Sequence, residues 1–97
     1  MIRIVRSYTA KQGKRAQLVD VLKEISGYAA TQGVDIKVLF EPWGDSRRVY
    51  FHTDYEESDT ALHFLEGLYE NPKAADAFQR RDDLTDGDPE VAFLTVR

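Results

Sequence analysis

Residues 50–55 read YFHTDY, in which an imidazole, a hydroxyl and a carboxylate stand among three aromatic rings. In an extended chain alternate residues share a side, so Tyr50, His52 and Asp54 face one way and Val49, Phe51, Thr53 and Tyr55 the other. Histidine is the side chain suited to accepting and returning protons near neutral pH. At the amino terminus, MIRIVRSYT carries Arg6 and Tyr8 on the same side as Ile2 and Ile4. If Arg6, Tyr8, Tyr50 and His52 share the helix-covered face of one sheet, they form a cluster able to orient a phenol or enol and move its proton. His52 would then be the base or hydrogen-bond partner, Arg6 the cation stabilising the enolate, and the two tyrosines would orient the ring. The competing expectation is that His52 sits on the wet side of the sheet and does no chemistry.

Other candidates are weaker. His63 and Phe64 lie beside an apolar helical stripe, where a boundary residue half in water is the simpler reading and a ligand contact the sharper one. Trp43, the single tryptophan, falls in a PWG turn and is expected to pack against a partner subunit, because aromatic anchors are enriched at interfaces. No metal is expected: His52 and Asp54 supply two ligands where a metal usually wants at least three, and nothing in the sequence brings His63 near them. The run DDLTDGDPE resembles a calcium loop only in part. Counting Asp82 as the first ligand leaves Leu84 where an oxygen is needed, so a solvated turn is the expectation. No Gly-rich phosphate loop, GxSxG elbow or HExxH pair is present, which leaves hydrolase and nucleotide-dependent readings without support.

These residues must be positioned by a small set of elements. MIRIVRSYT is β-branched and free of breakers, hence a strand. After KQGK, Leu18, Leu22, Ile25 and Ala29 keep the spacing of an amphipathic helix, with Gly33 placed to end it in a left-handed cap. Val34, Ile36, Val38 and Phe40 alternate with polar residues as a half-buried strand does, and EPWGDSRR turns the chain into a second strand from Val49 to Tyr55. The two make a hairpin. Ser58 and Asp59 can cap a second helix with Leu62, Leu65 and Tyr69 as its stripe. Asn71-Pro72 breaks it and starts a short third helix, whose stripe is read as Ala74, Ala75, Phe78 and Arg81. LTDGDPE turns into the closing strand VAFLTVR. The order is β-α-β-β-α-β: an α+β, ferredoxin-like domain spanning residues 1–97, with a four-stranded antiparallel sheet and its helices on one face.

Composition narrows the class further. With 42% hydrophobic and 31% charged residues the chain should fold as one globular domain. The absence of cysteine removes thiol chemistry and fits a reducing compartment, so the cytoplasm is the default location. A net charge of −4 disfavours a nucleic-acid partner, and no apolar run approaches the roughly 18 residues that a membrane span requires. Both sides of the first and last strands are apolar, so the sheet face left bare by the helices should be apolar too. Such a face is rarely left in water, and a homodimer formed by stacking two sheets is the expectation.

The opening strand running through KQGK into a helix, and the second helix followed by ENPKAADAF and VAFLTVR, resemble the dimeric α/β-barrel superfamily, especially the antibiotic-biosynthesis monooxygenase-like proteins. The resemblance covers essentially the whole chain. It implies a small aromatic ligand held between sheet and helices by Tyr8, Tyr50, His63 and Phe64. If the protein is an enzyme, it implies cofactor-independent oxygenation of a quinol or polyketide-like substrate, with His52 and Arg6 catalytic and no cofactor. Haem degradation is not expected, since Arg6, Phe64 and Asp76 fall near the places where that branch carries asparagine, tryptophan and histidine. Two alternatives stand beside it: a non-catalytic binding or assembly module, as in stress-response and NIPSNAP-like proteins of this fold, and a small-molecule isomerase.

Overall fold

The computed structural model describes residues 2–40, 47–55, 67 and 70–95. Four strands, β1 (Ile2–Thr9), β2 (Ile36–Phe40), β3 (Arg48–Tyr55) and β4 (Glu90–Thr95), form one sheet in the order β2-β3-β1-β4. Every neighbouring pair is antiparallel. Helix α1 (Arg15–Ala30) connects β1 to β2, and helix α2 (Pro72–Asp83) precedes β4. The β-α-β-β-α-β order read from the sequence is therefore the observed one, and β2 and β3 pair as the expected hairpin. The Trp43 turn between them lies outside the described residues. So does most of the helix expected from Ser58, including His63 and Phe64, although Gly67 and Glu70 are helical.

The sequence explains the local structure of α1 well. Leu18, Val19, Val21, Leu22, Ile25 and Ala29 are buried, a stripe that turns with the helical period and packs onto the sheet. The helix ends in a Schellman arrangement: Val34 N–H donates to Ala29 C=O at 3.1 Å and Gly33 N–H to Ala30 C=O at 3.1 Å. Gly33 has φ of 78°, a conformation that costs a residue with a Cβ and that glycine adopts freely. Ser26 Oγ donates to the Ile36 carbonyl at 2.6 Å, tying the helix to the edge strand β2.

Helix α2 starts as predicted. The Asn71 side chain accepts from Lys73 N–H at 3.0 Å, and Pro72 takes the first helical position, where its missing N–H leaves no bond unmade. Its inward stripe is Ala74, Ala77, Phe78 and Arg81, while Ala75 is exposed, a correction of the expected stripe. Two fully buried alanines let α2 approach α1 closely. The contact is locked at its rim by Arg80, which donates to Glu24 Oε1 at 2.7 Å and Oε2 at 2.9 Å, and to Asp76 Oδ2 at 2.9 Å. That guanidinium holds the Glu24 carboxyl below the ordinary carboxylate range.

The core lies between α1, α2 and one sheet face, with Leu18, Leu22, Ile25 and Val49 fully buried. Directly paired residues of an antiparallel ladder point to the same side, so the pairing register assigns every strand residue to a face. Ile4, Arg6 and Tyr8 of β1 pair with Thr53, Phe51 and Val49 of β3, and these sit on the helix-covered face. Arg3, Val5 and Ser7 pair with Asp54, His52 and Tyr50, and these sit on the bare face.

Candidate functional site

The register separates the residues that the sequence analysis had grouped. Arg6 and Tyr8 lie on the covered face, whereas Tyr50 and His52 lie on the bare one, so the sheet itself stands between the two halves of the expected cluster. The physical reason is a parity that one strand cannot reveal. Alternation shows which residues of a strand share a side, but the pairing of β1 with β3 shows which sides match, and here even residues of β1 meet odd residues of β3.

On the covered face the described strand residues are Ile2, Ile4, Arg6 and Tyr8 from β1; Ile36, Val38 and Phe40 from β2; Val49, Phe51 and Thr53 from β3; and Val91, Phe93 and Thr95 from β4. Arg6 is the single charged residue among them. It is half-buried, and among the described residues it has neither an ion pair nor a hydrogen-bond partner for its guanidinium. Tyr8 is 3% exposed, with its ring edge-on to Phe51 at a centroid separation of 6.5 Å. Over Tyr8 comes Arg81 of α2, its guanidinium carbon 5.5 Å from the Tyr8 ring centre and 5.0 Å from that of Phe78. Arg81 Nη1 stands 3.5 Å from the Tyr8 hydroxyl, at the outer limit of a hydrogen bond. Its Nε and Nη2 donate to Asp82 Oδ1 at 3.2 and 3.1 Å.

Beside this cluster the face opens at its β4 edge. Val91, the direct partner of Arg6, is 44% exposed, and Phe93, the partner of Ile4, is 69% exposed. Covered-face side chains thus run from a closed core under α1 to an uncovered apolar shelf on β4, with Arg6 between them. Arg6 and Tyr8 are legible in the sequence as candidates, whereas Arg81 reads there only as a continuation of a helical stripe. The signal for it was present: a cation on the inward stripe of an amphipathic helix breaks the pattern that its alanines set.

The bare face has a different chemistry. Arg3 Nε and Nη2 donate to Asp54 Oδ1 and Oδ2 at 2.9 and 3.3 Å, and His52 Nε2 lies 3.3 Å from Asp54 Oδ1. The His52–Asp54 approach is close enough for attraction but not aligned as a hydrogen bond; among the described residues Nε2 is shielded from solvent without a partner. The Arg3 guanidinium holds the Asp54 carboxyl below its ordinary range, with burial opposing and His52 assisting weakly. Arg48 reaches Glu90 at 3.3 Å across β1. Around these charges stand Leu39 and Leu94, 51% and 49% exposed. The bare face is therefore mixed, not chiefly apolar as expected from the strands taken one by one. Among the described residues no group of histidine and carboxylate side chains has the makings of a metal site, and Asp86 of the expected solvated turn is engaged by Arg47 at 2.9 Å.

No family model matches the sequence, and no curated protein matches it. Solved structures do. A NIPSNAP domain protein from Burkholderia xenovorans superposes with a TM-score of 0.82 at 18% identity, covering 100% of this chain and 95% of its own. The cofactor-independent oxygenase SnoaB from Streptomyces nogalater gives 0.76 at 18% identity, covering 99% of this chain and 92% of its own. An antibiotic biosynthesis monooxygenase gives 0.78 at 7% identity, covering 100% and 99%.

Proposed function

We propose a function that starts from the fold, which is that of the antibiotic-biosynthesis-monooxygenase-like and NIPSNAP proteins. We propose that the protein binds a small aromatic molecule on the covered face of its sheet, at the β4 side of Tyr8, and that it does so as a homodimer whose sheets stack through their bare faces. One observation carries the binding reading: on the described part of a largely apolar face Arg6 is the lone charge, half-buried and without a partner among the described residues. An unpaired guanidinium beside a hydrophobic core is costly unless something meets it, and ligand sites combine apolar walls with few polar groups. Val91 and Phe93 supply the wall.

Binding is preferred to cofactor-independent oxygenation. That chemistry needs a base within reach of the ligand, and Arg6 and His52 lie on opposite faces, so the register gives no support to them as an acid–base couple within one chain. His52 is instead assigned to the interface between copies, with Tyr50, Leu39 and Leu94. The homodimer reading rests on the exposed leucines of a sheet face that also carries charges of both signs, a surface able to complement a two-fold copy of itself.

Thermal-shift screening of aromatic phenols, quinols and acids against the protein and an Arg6→Leu variant tests the first part. Ligands that stabilise the native chain and fail with the variant are expected; stabilisation of both alike would overturn the site. Oxygen uptake with an anthrone-type substrate that disappears in Arg6→Leu would move the protein into the oxygenase class. Light scattering behind size-exclusion chromatography should give twice the 11.1 kDa chain mass. Only the single-chain mass at micromolar concentration would overturn the dimer.

A further inference from the structure

Two cations, from different elements, share the covered side of the sheet with Tyr8. Arg6 precedes it by two residues on the same side of β1, about 7 Å along the strand, and Arg81 lies over its ring from α2. Arg81 is only 17% exposed, although it carries a charge, and its guanidinium carbon lies over the rings of both Tyr8 and Phe78. Stacking of this kind fixes the plane of a guanidinium and leaves its edge to donate. One carboxylate, Asp82, occupies the Nε and Nη2 edge, and Nη1 has only the long contact to the Tyr8 hydroxyl. Thus the Tyr8 hydroxyl, the Nη1 edge of Arg81 and all of the Arg6 guanidinium are donors without a strong acceptor among the described residues. Among the described residues Asp82 is the one carboxylate bound to these two guanidiniums, so the described cluster carries an excess positive charge.

From this we infer that Arg6 and Arg81 form an anion-recognition pair around Tyr8, and that the ligand of the covered face is a planar aromatic acid. Its carboxylate takes the free guanidinium donors and its ring lies on Val91 and Phe93. This rests on the small-molecule reading above and names its ligand class. A neutral phenol would leave the positive charge uncompensated, whereas the flat fork of a guanidinium matches a carboxylate with two parallel bonds. Arg81 is a specificity residue in this account, since it selects the acid without any part in a reaction.

Calorimetric titration with 2-naphthoate and with the isosteric neutral 2-naphthamide tests the inference. The native protein should bind the acid at least about tenfold more tightly than the amide, the size of one charge-assisted contact. Arg81→Gln should remove most of that preference by weakening the acid far more than the amide; Arg81→Lys should keep part of it, because it retains the charge and loses the fork. Arg6→Gln, at a residue with no partner to lose among the described residues, should reduce the preference in the same way and keeps the test open if Arg81→Gln does not fold. Equal affinity of acid and amide for the native protein, or an unchanged preference in Arg81→Gln, overturns the anion pair and leaves the binding reading standing. If neither probe binds, both fall.

Discussion

The two faces of this sheet are made by the same four strands, often by adjacent residues, yet they differ in almost every physical respect. On the covered face Ile4, Val49, Phe51 and Ile36 close against Leu18, Leu22 and Ile25 of α1, and among the described strand residues charge is confined to Arg6. On the bare face Arg3, Lys37, Arg48, His52, Asp54 and Glu90 stand among Val5, Leu39 and Leu94, and Arg3 with Asp54 and Arg48 with Glu90 pair across strands. A lone charge among apolar neighbours and a paired charge among other charges are different signals. The first has no partner among the described residues and points to a ligand; the second is satisfied and points to a surface that must stay soluble and still recognise another surface.

The largest expected effect that would sharpen this contrast is on the covered face. Leu22→Ala removes a fully buried side chain and should cost about 2–5 kcal/mol in chemical denaturation, with the mass in solution unchanged under native conditions. A loss below about 1 kcal/mol would mean that the covered face is far less closed than its burial indicates. Next comes Leu39→Lys with Leu94→Lys on the bare face. These half-exposed residues should change the stability of the folded chain by no more than about 0.5 kcal/mol each, yet convert the dimer to single chains in light scattering. If the mass does not change, the bare face is not the interface.

The smallest effect is in acid. The carboxyls of Asp54 and Glu24 are held low in the folded chain by Arg3 and Arg80. A depressed carboxyl contributes stability that is complete above its unfolded value, about pH 4, and is lost as pH falls through the folded one. Denaturation midpoints should therefore be flat in this respect above about pH 5 and decline below about pH 4. Both pairs are well exposed, so the decline should be shallow and should shrink further in salt. An Asp54→Asn variant should lose part of that decline while weakening association; if it alters neither, the Arg3–Asp54 pair is a passive surface contact.

Much of the fold was legible because it depends on local pattern. The stripe of α1, the Gly33 stop, the Asn71-Pro72 start and the strand alternation each involve residues within a few positions of one another. The candidate site was less legible for the opposite reason. Arg6 and Tyr8 could be put on one side of one strand, but joining them to Tyr50 and His52 required a strand register, and an offset of one residue moves every side chain to the other face. Arg81 is 73 residues from Tyr8, and no spacing rule connects a helix position to a ring on a distant strand.

By itself the sequence determined the elements, their order and the ferredoxin-like class, since hydrophobic period and capping chemistry are properties of short segments. Only the tertiary structure decided which polar residues meet. It moved His52 and Asp54 to a face with Arg3, left Arg6 the lone charge among the described residues of the covered face, and brought Arg81 over Tyr8. Those choices belong to strand pairing and helix packing, contacts between segments far apart in the chain, and such contacts exist only once the whole domain has closed.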